Sequence, residues 1–263
     1  MEFVDQLNRK VFLKKTPTRI ISLVPSQTEL LVDLGLRNSL VGITKFCVHP
    51  SSLRAEKIIV GGTKKVNYEK IKSLVPDIII CNKEENTEDM VLQLEKIAPV
   101  WVSDIKTMPE CLWMIGQLGE IFQSFEKACD IIAKIETELL ELGKIVQDSK
   151  PRKVLYLIWK EPYMAVGKNT FIDTLLQENK FINVIDSDLS RYPEIGNKEL
   201  KKADLILLST EPYPFKNKDV IRMNELFETE IALVDGEYFS WYGSRLIQGI
   251  NYFKTFHSRD QLG

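Results

Sequence analysis

Two histidines stand among 263 residues, His49 and His257. His49 lies in Phe46-Cys47-Val48-His49-Pro50, just after an apolar run that reads as a strand, and strand-end loops are where α/β proteins meet their ligands. Its imidazole could ligate the metal of a bound chelate, cobalt or iron. The plain alternative is a loop histidine satisfied by local hydrogen bonds. His257, near the chain end, reads as a solvated surface group. Lys83-Glu84-Glu85-Asn86 also follows a strand and could face a ligand; equally, its acids could favour a helix N-terminus. Arg191 and Arg245 suit ligand carboxylates or amides, because a guanidinium reads planar acceptors well. Gly61-Gly62-Thr63-Lys64 could hold an anion on backbone N–H groups or be an ordinary turn.

Aromatic residues gather in loops: Phe46, then Trp159 and Tyr163, then Tyr192, then Phe239, Trp241 and Tyr242. A flat hydrophobic ligand would be gripped this way, by ring stacking with few polar contacts. Alternatively each ring packs beneath its own loop. Enzyme signatures are missing: the chain has no G-x-S-x-G elbow, no G-x-x-x-x-G-K-[ST] loop and no G-x-G-x-x-G after a strand. The cysteines Cys47, Cys81, Cys111 and Cys129 are scattered, fit no zinc spacing and read as small buried hydrophobes. A net charge of -2 gives no reason to invoke nucleic acid or an anionic membrane.

The elements that would position these residues follow from periodicity. From about Ser124 to Gln147 the apolar residues Phe125, Ala128, Ile132, Ile135, Leu139, Leu142 and Val146 recur in steps of three and four, the pattern of one helix face. At roughly 1.5 Å per residue this is a rod of about 36 Å. It reads as a coiled-coil segment or as a rod shared by two lobes. Both flanks alternate short apolar strands with helices, which implies crossover units and mostly parallel sheets. The flanks also repeat each other: Asn67-Tyr-Glu69-Lys leads through a short helix to Asp77-Ile-Ile-Ile, and Asn197-Lys-Glu199-Leu leads the same way to Asp204-Leu-Ile-Leu. We therefore expect a Rossmann-like lobe over 1–122, the linking helix over 123–149 and a second Rossmann-like lobe over 150–263, with the ligand in the cleft. Ser26 and Glu29 stand at capping-box spacing.

R-I-I-S-L-V-P-S-Q-T-E-L at Arg19–Leu30, L-V-G-I-T at Leu40–Thr44 and V-N-Y-E-K-I-K-S-L-V-P-D-I-I-I at Val66–Ile80 resemble the substrate-binding proteins of metal-chelate ABC transporters. The likeness is greatest to the vitamin B12-binding type, and the siderophore- and haem-binding types are similar. The resemblance implies the helical-backbone, class III periplasmic binding architecture. It also implies no enzymatic activity, no intrinsic cofactor, a corrinoid or ferric chelate clamped between the lobes, and modest hinge motion. A permease partner and a monomer are further expectations. Glu69 and Glu199 would dock on basic residues of that permease. Phe46 stands at a ring-stacking position, Tyr192 at a cleft tryptophan, and Trp159 or Tyr163 at an aromatic of the second lobe. Gly236–Trp241, with Phe239, stands near an Asp-Trp pair. Lys64 or Lys65, and Asn82 or Lys83, replace expected tryptophans, so the cleft would be more polar and charged, with room for a siderophore. The expected ligand set is Phe46, His49, Lys64, Lys83, Glu84, Trp159, Tyr163, Arg191, Tyr192, Phe239, Trp241 and Arg245, with His49 the residue that would reach the chelated metal. The resemblance implies a periplasmic or cell-envelope protein. No secretory signal is read in the first fifteen residues, so the location would be cytoplasmic if Met1 is the native start. The alternatives are a cytoplasmic tetrapyrrole-handling, chelatase-like enzyme, using His49 with Glu84 or Glu85, or an intracellular corrinoid or metal carrier.

Overall fold

A computed structural model describes residues 1–186 and 190–260. In chain order its first elements are β1 (Glu2–Val4), β2 (Lys10–Phe12), β3 (Ile20–Ser22), α1 (Pro25–Asp33), β4 (Leu40–Thr44), α2 (Leu53–Glu56) and β5 (Ile58–Gly61). Next come α3 (Tyr68–Ser73), β6 (Ile78–Asn82), α4 (Glu88–Leu94), β7 (Val100–Ser103), α5 (Met108–Ile121) and α6 (Phe125–Val146). The chain continues with β8 (Arg152–Trp159), β9 (Met164–Ala165), α7 (Phe171–Glu178), β10 (Phe181–Asn183), α8 (Asn197–Leu200) and β11 (Leu205–Ser209). It closes with α9 (Asn217–Asn224), β12 (Glu230–Val234), α10 (Gly236–Ser240) and α11 (Leu246–Asp260). Two compact units result. One comprises Met1–Ile105, Pro109–Lys134 and Tyr242–Arg245; the other comprises Lys106–Met108, Ile135–Trp241 and Leu246 onward. Among the described residues no helix is long and apolar enough to cross a membrane.

The first unit is built on a five-stranded sheet in the order β5-β4-β3-β6-β7, parallel throughout. Its central strands are apolar without alternation because both faces are covered: Ile78, Ile79, Ile80 and Cys81 are all fully buried. The chain leaves β3 toward β4 and β5 on one side and then returns to β6 and β7 on the other. The switch point lies between β3 and β6, and a crevice opens outside the carboxyl ends of such strands. The antiparallel hairpin β1–β2 has no counterpart in the sequence reading.

The second unit repeats the plan with β10-β8-β11-β12, parallel, and β9 antiparallel on β8. Its switch point lies between β8 and β11. Leu205 to Leu208 form the same fully buried apolar run as β6.

The internal repeat has a physical basis at the start of the two central strands. Asp77 donates its backbone N–H to the Arg19 carbonyl at 2.8 Å and takes Arg19 N–H on Oδ2 at 3.0 Å. Asp204 does the same with Lys153, at 2.8 Å in both directions. Each aspartate closes the first rung between its strand and the neighbouring one. At Asp77 burial works against the charged form, yet hydrogen bonds from Thr18 and Arg19 prevail and hold the carboxyl below its ordinary range.

α6 is one unbroken helix of 22 residues, about 33 Å long at roughly 1.5 Å per residue. Ala128, Ile131, Ile135, Leu142 and Val146 are its buried face, while Phe125, counted in the apolar stripe, is exposed. The compact units divide within this helix, between Lys134 and Ile135. In the second unit Lys254 of α11 holds α6 through Glu138 and through Glu141 at 2.6 Å.

Three local expectations are corrected. Ser26 does not cap α1: the helix starts at Pro25, whose fixed φ and missing N–H suit the first turn, after Val24. His257 is buried, its Nε2 2.9 Å from Asn179 Oδ1 and its ring 5.5 Å from Phe181. Cys129 is exposed, while Cys47, Cys81 and Cys111 are buried.

Candidate functional site

Because every strand of the first sheet runs the same way, its carboxyl ends deliver Phe46, the Gly61–Lys65 turn, Lys83 to Asn86 and Asp104 to one edge. The turn is possible only with glycine at its start. Gly61 has φ +141°, and a Cβ there would meet the Lys65 carbonyl oxygen at 2.5 Å. Gly62 next to it lets the Phe46 ring lie close, since a Cβ would stand 3.2 Å from Phe46 Cε2. Phe46 is 48% exposed, and Lys45 Nζ sits 4.9 Å from its ring centroid.

A depression of about 640 Å³ opens here, lined by Lys45, Phe46, the Ile59–Lys65 segment, Asn67 and Lys70. Four of its residues are lysines. Lys70 donates to the Ile59 carbonyl at 2.9 Å and Lys64 to the Glu84 carbonyl. Glu85 stands close by; burial pushes its carboxyl up, against the opposing pull of Lys64 and a hydrogen bond with Thr63. Lys83 pairs with Asp104 at 2.9 Å, and Glu84 is exposed beside it. Beneath these loops a buried polar cluster ties the ends of β6 and β7 to α1: Gln27 Nε2 donates to Ser103 Oγ and, at 3.2 Å, to Tyr242 OH. Asn82 Nδ2 donates to Ser103 Oγ at 3.0 Å. Burial drives the Tyr242 phenol well above its usual value, so it stays a neutral hydrogen-bonding group at physiological pH. His49 is half-buried in the loop after β4.

In the second unit the carboxyl ends of β8, β11 and β12 bring together Trp159, the Glu211–Tyr213 segment and Asp235 to Trp241. Trp159 is 41% exposed and meets Tyr213 edge-on at 5.5 Å. Glu211 Oε1 accepts from Ser240 Oγ at 2.8 Å and Trp241 Nε1 at 3.1 Å. Burial raises the Glu211 carboxyl, with Glu237 and Asp235 adding to the rise and these two hydrogen bonds opposing it. Tyr163 is half-buried against the core, and its carbonyl takes Ile195 N–H at 2.9 Å. Arg191 and Tyr192 lie half-buried on the loop whose Arg191 carbonyl accepts from Gly167 N–H at 2.7 Å.

Within the first unit, then, Phe46, Lys64, Lys83 and Glu84 share the strand-end edge; within the second, Trp159 and Trp241 do. Two expected ligand residues are spent on structure. Phe239 is 2% exposed and packs between Tyr156 at 5.1 Å and Phe253 at 4.7 Å. Arg245 is buried in a two-pronged pair with Glu29, Nε to Oε2 and Nη2 to Oε1, each 2.7 Å. Trp241 is mostly buried, its ring nitrogen taken by Glu211. The sequence pattern singles out none of Lys45, Lys70, Glu211 or Tyr213. The signal available was position alone: Lys45 directly follows β4, and Glu211-Pro212-Tyr213 lies one residue beyond β11. Among the described residues no three His, Cys, Asp or Glu side chains are grouped to hold a metal ion.

The two acidic residues of the internal repeat differ in their surroundings. Asn67 caps α3 with its own side chain, accepting from Lys70 N–H at 2.9 Å, and leaves Glu69 exposed. In α8 the Glu199 carboxylate reaches back to Gly196 N–H at 3.1 Å, because glycine offers no capping side chain.

Two parallel-sheet units, each with loops gathered at the carboxyl ends of its strands, have the arrangement of a solute-binding protein. The profile of the periplasmic binding protein family matches residues 20–228, and the chain belongs to that family of non-enzymatic solute carriers. It is 26% identical over 265 residues to an uncharacterized ABC transporter substrate-binding lipoprotein of Bacillus subtilis, covering 94% of this chain and 82% of the relative. The fold is shared with the vitamin B12-binding protein of Vibrio cholerae, with a TM-score of 0.78 at 19% identity, covering 94% and 98% of the two chains. It is also shared with a periplasmic heme-binding protein of Roseiflexus sp. RS-1, with a TM-score of 0.79 at 18% identity, covering 91% and 97%.

Proposed function

We propose that this protein is the receptor component of an ABC transporter and carries a metal chelate: a corrinoid, a haem or a ferric siderophore. The observation that carries the reading is the pair of strand-end edges, one presenting exposed Phe46 among lysines and the other exposed Trp159 against Tyr213. Rings without a catalytic group suit a flat or bulky cargo that is held and released unchanged. The lipoprotein relative and the family support a place outside the cytoplasm. Phe46, His49, Lys64, Lys83, Glu84, Trp159, Tyr163, Arg191, Tyr192 and Trp241 are the residues assigned to the ligand, with His49 nearest in chemistry to a metal ligand. Glu69 and Glu199 are assigned to the permease.

Absorbance titration with cobalamin, haemin and ferric siderophores tests the reading. Binding of at least one is expected, and Phe46→Ala should weaken it by roughly 1–3 kcal/mol, the usual scale of a lost ring stack. Binding of none of them refutes the chelate assignment. Glu69→Arg with Glu199→Arg should abolish transport while leaving affinity intact. Because Glu199 also caps α8, Glu69→Arg alone is the cleaner of the two variants.

A further inference from the structure

Charge is distributed unevenly in this chain. Its formal net charge is -2, yet the depression beside Phe46 is lined by Lys45, Lys64, Lys65 and Lys70 and by no acidic residue. Among the described residues none of the four ammonium groups forms a salt bridge, although Lys64 interacts with the Glu85 carboxyl. Lys64 and Lys70 donate to backbone carbonyls, and Lys45 sits over an aromatic ring. A carbonyl accepts a hydrogen bond but carries no net charge, so four positive charges line one depression. Glu85 lies half-buried nearby, its carboxyl raised by burial against the pull of Lys64. Like charges brought together cost energy, and a cluster of them with an open mouth attracts anions over a Debye length of about 8–10 Å.

Resting on the chelate reading above, we propose that this depression selects the charge of the cargo: the ligand carries peripheral carboxylates, which the lysines hold while Phe46 stacks on its flat part. An uncharged corrinoid would leave the four cations uncompensated and gain only the ring contact. A polyanionic molecule without a flat part would lose the Phe46 contact. A carboxylate-bearing chelate uses both. The volume, about 640 Å³, lies within the roughly 300–1,000 Å³ of small-molecule sites.

The test uses the full chain and four probes: haemin, its dimethyl ester, ferric citrate and cyanocobalamin, each titrated by absorbance or tryptophan quenching. Haemin and its ester share ring and metal and differ only in two carboxylates. We expect haemin or ferric citrate to bind at least about tenfold more tightly than the ester and cyanocobalamin, with the preference shrinking as salt rises, since exposed charge pairs are screened. Lys45→Gln and Lys65→Gln should each lose about two- to fivefold in affinity for the carboxylate probe, the scale of an exposed ion pair, and nothing for the ester. Lys10→Gln, in the β1–β2 hairpin, serves as the control that changes net charge alone. Circular dichroism melts establish that each variant is folded. Equal affinity for haemin and its ester, or cyanocobalamin binding untouched by salt and by the lysine variants, overturns the proposal and leaves the receptor reading standing. Failure of all four probes and of the siderophores removes the receptor reading and this proposal with it.

Discussion

Replacing Arg245 should destabilise the first unit strongly. Arg245 and Glu29 are only 7% and 13% exposed at the side chain and are joined by two hydrogen bonds of 2.7 Å. They stand 216 positions apart in sequence, so the pair fastens Tyr242–Arg245 to α1. Removing one partner of a buried pair leaves the other charge without compensation, and that costs about 3–5 kcal/mol. Arg245→Met keeps the apolar stem and deletes the charge, so the loss is electrostatic more than steric. With a urea slope of about 2 kcal/mol per M, the midpoint of the first unit should fall by roughly 1.5–2.5 M. Trp101 and Trp113 belong to this unit and stack at 6.0 Å, so their fluorescence reports its unfolding. Glu29→Leu combined with Arg245→Met should recover most of the loss, since two apolar groups leave no stranded charge. A single-variant loss below about 1 kcal/mol, or a double variant as unstable as the single, would refute the assignment of this pair.

Asp77→Ala and Asp204→Ala should each cost about 1.5–3 kcal/mol in their own unit, the scale of hydrogen bonds to a charged group, as read by denaturant melts; a loss in the opposite unit would contradict the independent clamps. Asp77 is held below its ordinary range, so its contribution is complete above about pH 4 and is lost as pH falls through the lower folded value. Asp77→Asn should flatten that acid limb. Glu211 is raised, so the sign reverses: its contribution is complete below the ordinary glutamate range and is lost as pH rises through the folded value. Glu211→Gln keeps an acceptor for Ser240 and Trp241. It should be at least as stable as the parent at pH 7 and should melt with less pH dependence above the ordinary glutamate range; an unchanged pH profile would count against it.

Much of the fold was legible because the features involved are local. The three-and-four spacing from Ala128 to Val146 can satisfy one helix face and nothing else. The runs Ile78–Cys81 and Leu205–Leu208 can bury both sides only inside a covered parallel sheet. The candidate site was legible where it depends on chain position: Phe46, Lys64 and Glu84 each follow a strand end, and Trp159 is the last residue of β8. What escaped depends on distant partners. Glu29 reads as half of a capping box because Ser26 is three residues away, whereas its true partner is Arg245. Phe239 reads as a free loop ring because nothing nearby in sequence signals Tyr156 and Phe253. His257 reads as terminal and wet because Asn179 and Phe181 are far off in the chain. The hairpin β1–β2 escaped because three-residue strands with two exposed positions each carry too little pattern.

The two halves of the chain are alike at one end of their sheets and unlike at the other. At the amino ends of the central strands the units are chemically alike: Asp77 with Arg19 and Asp204 with Lys153 make the same reciprocal pair at nearly the same distances. At the carboxyl ends they differ. The first unit gathers four lysines around Phe46; the second gathers Trp159 and Tyr213 with Glu211, Asp235 and Glu237 close behind. A rung that registers two strands tolerates little change, because the aspartate carboxylate and backbone N–H engage the neighbouring residue's N–H and carbonyl together. Loops at the carboxyl ends carry no such obligation and are free to diverge. The asymmetry of charge therefore belongs to the ends assigned to the ligand in the proposal above, so substitutions at Lys45 and Lys65 should alter the choice of cargo while leaving the melting of the first unit unchanged.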